Sequence, residues 1–262
     1  MKTKIMTHVV AGYPTRDACM KLLKDMQNAG VYAVEVQIPF SDPGADGEVI
    51  MMANDIALQK GMTTVGAFKM ISEVRQDGLS IPLYVMTYLN KPFSYGLKKF
   101  CDDAHKAGVT GLIIPDMPPN TKEHHEITMY CKKLKLELVP VLSPAMMRDS
   151  LEAYNLKDAE IVYLTSTEGI TGKKFNADIS LEPVTSYIRS LSTCQIALGF
   201  GIRSVEDVRN ALQVADIAVI GSEVMRIINQ KGASQVKRFI KNILHQIKIT
   251  NTPEKKLIET NE

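Results

Sequence analysis

The sequence predicts an α/β protein, one domain folded as a closed (β/α)8 TIM barrel. Three observations carry this expectation. Short apolar, β-rich runs alternate with longer stretches of helical spacing along the chain, which is the signature of parallel strands joined by crossover helices. Eight such units can be counted. The 262 residues match the length at which such a barrel closes as one unit, about 250 residues, and no Gly/Ser-rich or low-complexity segment divides them. Residues 1–250 are assigned to the barrel, and 251–262 to a polar, frayed tail.

The elements follow in order. IMTHVVA (5–11) is the first strand. In the helix after it, RDACMKLLKDMQNAG, residues Ala18, Leu22, Met26 and Ala29 keep helical spacing and Gly30 ends the pattern. AVEVQIP (33–39) is the second strand, followed by a loop and the helix EVIMMANDIALQKG. A helix near 64–77 leads to the third strand, IPLYVMTY (81–88), and FSYGLKKFCDDAHKAG reads as one helix stopped by Gly108. GLIIPD (111–116) precedes a helix from Lys122 to Leu134, and LELVPVL (136–142) precedes a short helix around 148–155. EIVYLTS (160–166) opens into a long polar loop and a helix at 181–190. CQIALGFG (194–201), a helix at 204–213, DIAVIGS (216–222) and two closing helices near 223–229 and 233–249 complete the barrel.

Composition excludes several classes of function. Lys and Arg number 31 against 29 Asp and Glu, with no basic block, so a nucleic-acid surface is not expected. No apolar run approaches the ~20 residues needed to cross a bilayer, and the start MKTKIMTHVVAGYP is too short in apolar residues for a signal peptide. The cysteines at 19, 101, 131 and 194 are widely spaced, which points away from a disulfide framework or zinc site and toward a reducing cytoplasm. The adjacent histidines of EHHE (123–126) diverge around a helix and suit a solvated face better than a metal. No nucleophile elbow surrounds any Ser or Cys.

In such a barrel the chemistry sits at the C-terminal ends of the strands. Three places there stand out. The stretch VEVQIPFSDPGADGEVI (34–50) puts Glu35 inside an apolar strand and Asp42 and Asp46 in the turn that follows. A carboxyl group taken out of water favours its protonated form and can serve as an acid. Asp near Gly also caps turns and helices, which is the plainer use of Asp42 and Asp46. The second place is the glycine-bearing loop EGITG (168–172). The third is the pair of strand ends GFG (199–201) and IGS (220–222). There Gly201, Gly221 and Ser222 offer open backbone N–H groups, and SEVMRIIN can start a helix whose N-terminus attracts phosphate.

With these residues in view, the chain resembles the tryptophan synthase alpha subunit family from about residue 5 to 245. IPFSDPGADG, PDMP (115–118), GITG (169–172), GFGI (199–202) and the final GS fall in the family's order. The resemblance implies cleavage of indole-3-glycerol phosphate to indole and glyceraldehyde 3-phosphate, without metal or organic cofactor. It matches Glu35 and Asp46 to the two catalytic acids, Tyr163 and Thr171 to supporting residues, and Gly172, Gly201, Gly221 and Ser222 to phosphate-binding positions. Tyr88, Ile113, Asp116 and Phe200 align with the indole pocket, with His8 in its wall where an apolar aromatic is usual. Glu35 is expected in apolar surroundings and close to neutral, Asp46 hydrogen-bonded and ionised.

The implied partner is a pyridoxal-phosphate beta subunit in an α2β2 complex, docked on the barrel mouth at the loop after strand two and near Asn90–Tyr95. Other departures are Gln37 for Gly, Gly44 for a branched apolar residue, Glu48 for Pro and Thr167 for a basic residue. The family's leading helix is expected to be missing, because Ile5 already belongs to strand one. Two other readings fit the barrel. A phosphosugar isomerase would use the phosphate end but has no need of Glu35 with Asp46, and a purely regulatory subunit would have no need to keep both acids.

Overall fold

The computed structural model describes residues 3–144, 146, 153–154, 156–165, 181–199 and 201–250. Nine parallel strands are hydrogen-bonded in one sheet: β1 Lys4–Val10, β2 Ala33–Gln37, β3 Leu83–Met86, β4 Gly111–Ile113, β5 Glu137–Val139, β6 Val141–Leu142, β7 Ile161–Thr165, β8 Gln195–Gly199 and β9 Ile217–Ile220. The ladder runs β5-β4-β3-β2-β1-β9-β8-β7-β6, and its two ends are joined through Pro140. LELVPVL, expected as one strand, is therefore two. Proline has no N–H to donate, so the ladder is interrupted there, yet its carbonyl still accepts from Tyr163 N at 2.8 Å. Counted through Pro140, the barrel has the eight expected staves.

The described helices are α1 Arg16–Ala29, α2 Glu48–Gln59, α3 Thr64–Gln76, α4 Asn90–Tyr95, α5 Leu97–Lys106, α6 Lys122–Leu134, α7 Glu182–Leu191, α8 Val205–Val214, α9 Ser222–Lys231 and α10 Ser234–Thr250. Their ends follow from local chemistry. Thr15 caps α1 by accepting from Ala18 N at 3.2 Å, and Gly30 ends it at φ 98°. Ser204 and Asp207 form a capping box on α8, with each side chain accepting from the other's backbone N–H. The buried stripe of α1 is Cys19, Leu22, Leu23 and Met26, rotated by one position from the Ala18-based stripe expected, because Ala18 faces the edge of the contact. The single helix expected over 93–108 is α4 and α5, broken at Gly96, whose φ of 89° does not fit a right-handed helix. The short helix near 148–155 falls largely outside the described residues, and the tail 251–262 falls wholly outside them.

Strand alternation sorts the core into two layers. Val34, Val36, Leu83, Val85, Leu112, Ile196, Leu198 and Ala218 pack outward against the helices. Met6, Ala33, Tyr84, Met86, Ile113, Val139, Ile161, Ala197, Ile217 and Val219 fill the barrel interior. In the outer layer Phe100 is fully buried, with its ring edge-on to Phe68 at 5.0 Å and to Tyr95 at 6.0 Å. Phe100→Ala is expected to destabilise the fold by about 3–5 kcal/mol, since a large aromatic leaves a cavity that three helices cannot close. A shift in the urea midpoint worth less than about 1 kcal/mol would show that α3–α5 repack freely.

Candidate active site

Glu35 belongs to the interior layer. It shares a strand face with Ala33 and Gln37, since side chains two apart on a strand point the same way. Parallel pairing sets His8 of β1 beside it, and both are buried, at 5% and 3% exposed. His8 Nδ1 lies 3.1 Å from Glu35 Oε1. The apolar surroundings expected for Glu35 are thus corrected: the register of β1 against β2 places an imidazole against it.

Asp46 is also buried, at 3% exposed. It does not cap the following helix. That N-cap is Gly47, which has no side chain to offer, and the Asp46 carboxylate turns inward instead. There Gln37 Nε2 donates to its Oδ2 at 2.6 Å, and the Tyr88 hydroxyl bonds it as well. Tyr88 in turn accepts from Ala45 N at 3.1 Å and stacks on Phe40, so the loop after β2 is tied to the end of β3. Asp42 is an exposed turn residue whose carbonyl accepts from Gly44 N.

Burial and neighbouring charge compete throughout this cluster. Burial pushes Asp46 above the usual carboxylate range, against the pull of His8, Gln37 and Tyr88. The Tyr88 phenol is driven well above its ordinary value by burial and then by Asp46. Tyr163, on the interior face of β7, is raised strongly by burial and by the nearness of Glu35 and Asp46. Burial acts to lower His8, but Glu35 and then Asp46 outweigh it, so the imidazole holds its proton more tightly than usual.

The remaining expected residues divide. Ile113 lies in the interior layer with Tyr88. Asp116 is exposed and serves as a support, accepting from Leu89 N at 2.8 Å just after Tyr88. Gly221 is the N-cap of α9 and Ser222 its first residue, so the N-terminus of that helix follows directly on the C-terminal end of β9. Gly201 is a half-buried loop residue after β8. Thr171, Gly172 and Phe200 lie outside the described residues.

A family model for the tryptophan synthase alpha chain matches residues 1–253. The chain belongs to the tryptophan synthase alpha chain family. Among its relatives, the alpha chain of Desulfotalea psychrophila is 34% identical over 239 residues, covering 91% of this chain and 93% of that one. The tryptophan synthase of Saccharomyces cerevisiae is 33% identical over 252 residues, covering 94% of this chain and 35% of that longer protein. Among solved structures, tryptophan synthase of Mycobacterium tuberculosis superposes with a TM-score of 0.82 at 25% identity, covering 93% of this chain and 92% of that one. The tryptophan synthase complex of Pyrococcus furiosus gives 0.79 at 26% identity, covering 93% and 97%. These neighbours share the barrel found here.

Two residues of this family member carry more of the site than the sequence indicated. Gln37 holds Asp46; the available signal was a polar residue two positions after Glu35, hence on the same strand face. Gly199 gives Tyr163 its room, because a Cβ there would lie 2.7 Å from Tyr163 Cζ. No local pattern distinguishes Gly199 from an ordinary turn glycine, since its partner is on another strand.

Proposed function

We propose that this chain cleaves indole-3-glycerol phosphate to indole and glyceraldehyde 3-phosphate, the lyase half-reaction of tryptophan synthase, with Glu35 and Asp46 as its acids. The observation that carries the reading is that both carboxylates are buried at one end of the barrel, Glu35 held by His8 and Asp46 by Gln37, in a chain of this family. Glu35 delivers a proton to indole C3. The ring nitrogen then carries positive charge, and the Asp46 carboxylate, fixed by Gln37 and Tyr88, accepts its N–H. Glu35 next takes the proton of the glycerol hydroxyl, the carbonyl forms, and the C–C bond breaks with its electron pair returning to the ring. The phosphate is held at Gly201, Gly221 and Ser222, where the start of α9 favours an anion and orients the reacting end. By the resemblance, Tyr163 and Thr171 support the acids, Gly172 joins the phosphate site and Phe200 the indole pocket.

Indole is small and apolar, so it is passed to a pyridoxal-phosphate beta subunit in an α2β2 assembly. Large apolar side chains exposed on α4 and the first half of α2 support a docking face at the mouth: Phe93 at 60%, Met51 at 43% and Met52 at 41% exposed. A cytoplasmic setting accords with four buried, free cysteines and with the absence, among the described residues, of any helix long and apolar enough to cross a membrane.

Purified chain should release indole from the substrate slowly alone and about tenfold or more faster with its beta subunit, as closure of the mouth excludes water. Mass measurement on the same mixture should give the heterotetramer. No indole release in either condition would refute the lyase reading. Release without complex formation at micromolar concentration would leave a free-standing lyase.

A further inference from the structure

The cleavage described above uses Glu35 and Asp46 but makes no use of His8. Yet His8 is the side chain that touches Glu35. Its Nδ1 is 3.1 Å from Glu35 Oε1, and the two face each other across adjacent strands with almost no exposure. Gly221 packs on the other side, where an added Cβ would stand 3.4 Å from the His8 Cβ. The other titratable groups facing this end of the barrel among the described residues are Asp46 in the loop after β2, Tyr88 after β3 and Tyr163 on β7.

Two further details matter. Glu35 Oε2 is buried and makes no hydrogen bond among the described residues. Gln37, which donates to Asp46, keeps its side-chain oxygen near His8 and favours the protonated ring, although neither Gln37 Oε1 nor His8 Nε2 completes a hydrogen bond among the described residues.

We propose that His8 and Glu35 work as one acid–base unit holding a single exchangeable proton, with Glu35 Oε1 bound by His8 and Glu35 Oε2 left to meet the substrate. This rests on Glu35 being the group that handles the proton. At 3.1 Å a proton can lie on either partner. The proton resides as imidazolium with carboxylate or as imidazole with carboxylic acid, and the pair's behaviour belongs to both residues.

In the reacting form His8 Nδ1–H donates to Oε1 and Oε2 carries the proton. Transfer breaks the Oε2–H bond and forms the C3–H bond, leaving a carboxylate still held by Nδ1–H. The hydroxyl proton of the glycerol chain then returns to Oε2, and the pair ends with the proton count it began with. His8 acts through Glu35 and touches no reacting atom, so it is a positioning residue. What it adds is a second place for the proton, and two sites for one proton hold it to higher pH than the carboxyl group alone.

Two measurements test this. The first is the pH profile of kcat/KM for indole release in His8→Phe and His8→Asn. Asn keeps an N–H close to the position of Nδ1 but does not titrate. Both variants should move the alkaline limb at least about one pH unit toward acid, because the shared proton is then left with one site in place of two strongly interacting ones. His8→Asn should keep a plateau kcat nearer the parent than His8→Phe does. A merely structural His8 would lower the plateau and leave the limb in place, and that result overturns the proposal.

The second measurement needs no activity. The His8 ring resonance, assigned by its loss in His8→Asn, should titrate above the ordinary histidine value in the parent and at clearly lower pH in Glu35→Gln, where burial is opposed only by Asp46 and Gln37. Equal titration in the two proteins also overturns the proposal. If Glu35→Gln keeps full lyase activity while the resonance shifts as stated, the catalytic reading of Glu35 fails and the pairing stands, so the two failures are distinguishable.

Discussion

Glu35→Gln is expected to lower indole release by about a thousandfold, within the range for loss of a general acid–base group, with an unchanged circular dichroism spectrum. The substitution is close to isosteric and keeps an oxygen at hydrogen-bonding distance from His8, so the strand pairing around it has no reason to move. What it removes is the ability to give up and regain a proton. Asp46→Asn should cost less, about a hundredfold, because it deletes an electrostatic partner for the ring nitrogen rather than the proton carrier. Its amide would also turn an N–H toward either Gln37 or the substrate, and one of those contacts is lost. Turnover of Glu35→Gln within tenfold of the parent would take Glu35 out of the chemistry. Near-normal Asp46→Asn would do the same for Asp46.

The second large effect is expected from Gly221→Asp. Glycerol 3-phosphate should inhibit the parent, and its inhibition constant should rise about a hundredfold or more in the variant, as Coulomb repulsion between a carboxylate and a phosphate about 5 Å apart predicts in a half-buried site. The position isolates this effect well. Gly221 has φ −106°, where other residues are tolerated, and an added Cβ would meet the His8 Cβ at 3.4 Å, an ordinary contact. Unchanged inhibition in a folded variant would move the phosphate site away from α9.

Much of this was legible before any coordinates. Local periodicity reports what one segment does by itself, and the alternation of short β-rich runs with helical spacing marked the barrel staves and most of the described helices between them. The staves ran short of the expected ends, as at 81–88 against Leu83–Met86, because residues beyond the ladder stay apolar and buried where the loops fold over the barrel mouth. Gly96 and Pro140 were visible as residues but not as breaks. A glycine interrupts a helix only when the chain must turn there, and a proline interrupts a strand only where the N–H it lacks was needed.

By itself the sequence determined the barrel class, the family, and the presence of an acid inside strand two with another in the loop beyond it. Tertiary structure decided what those acids touch. Whether Glu35 faces the interior, and whether His8, 27 residues away in sequence, stands beside it, depends on the register of two parallel strands. A slip of one residue in either strand would have turned that strand's side chain toward the helices and parted the pair. The same holds for Gln37 reaching Asp46 and for Gly199 clearing Tyr163. Pattern along a chain follows from each segment's own water-avoiding face, whereas contact between segments follows from how the closed barrel sets neighbouring strands against one another.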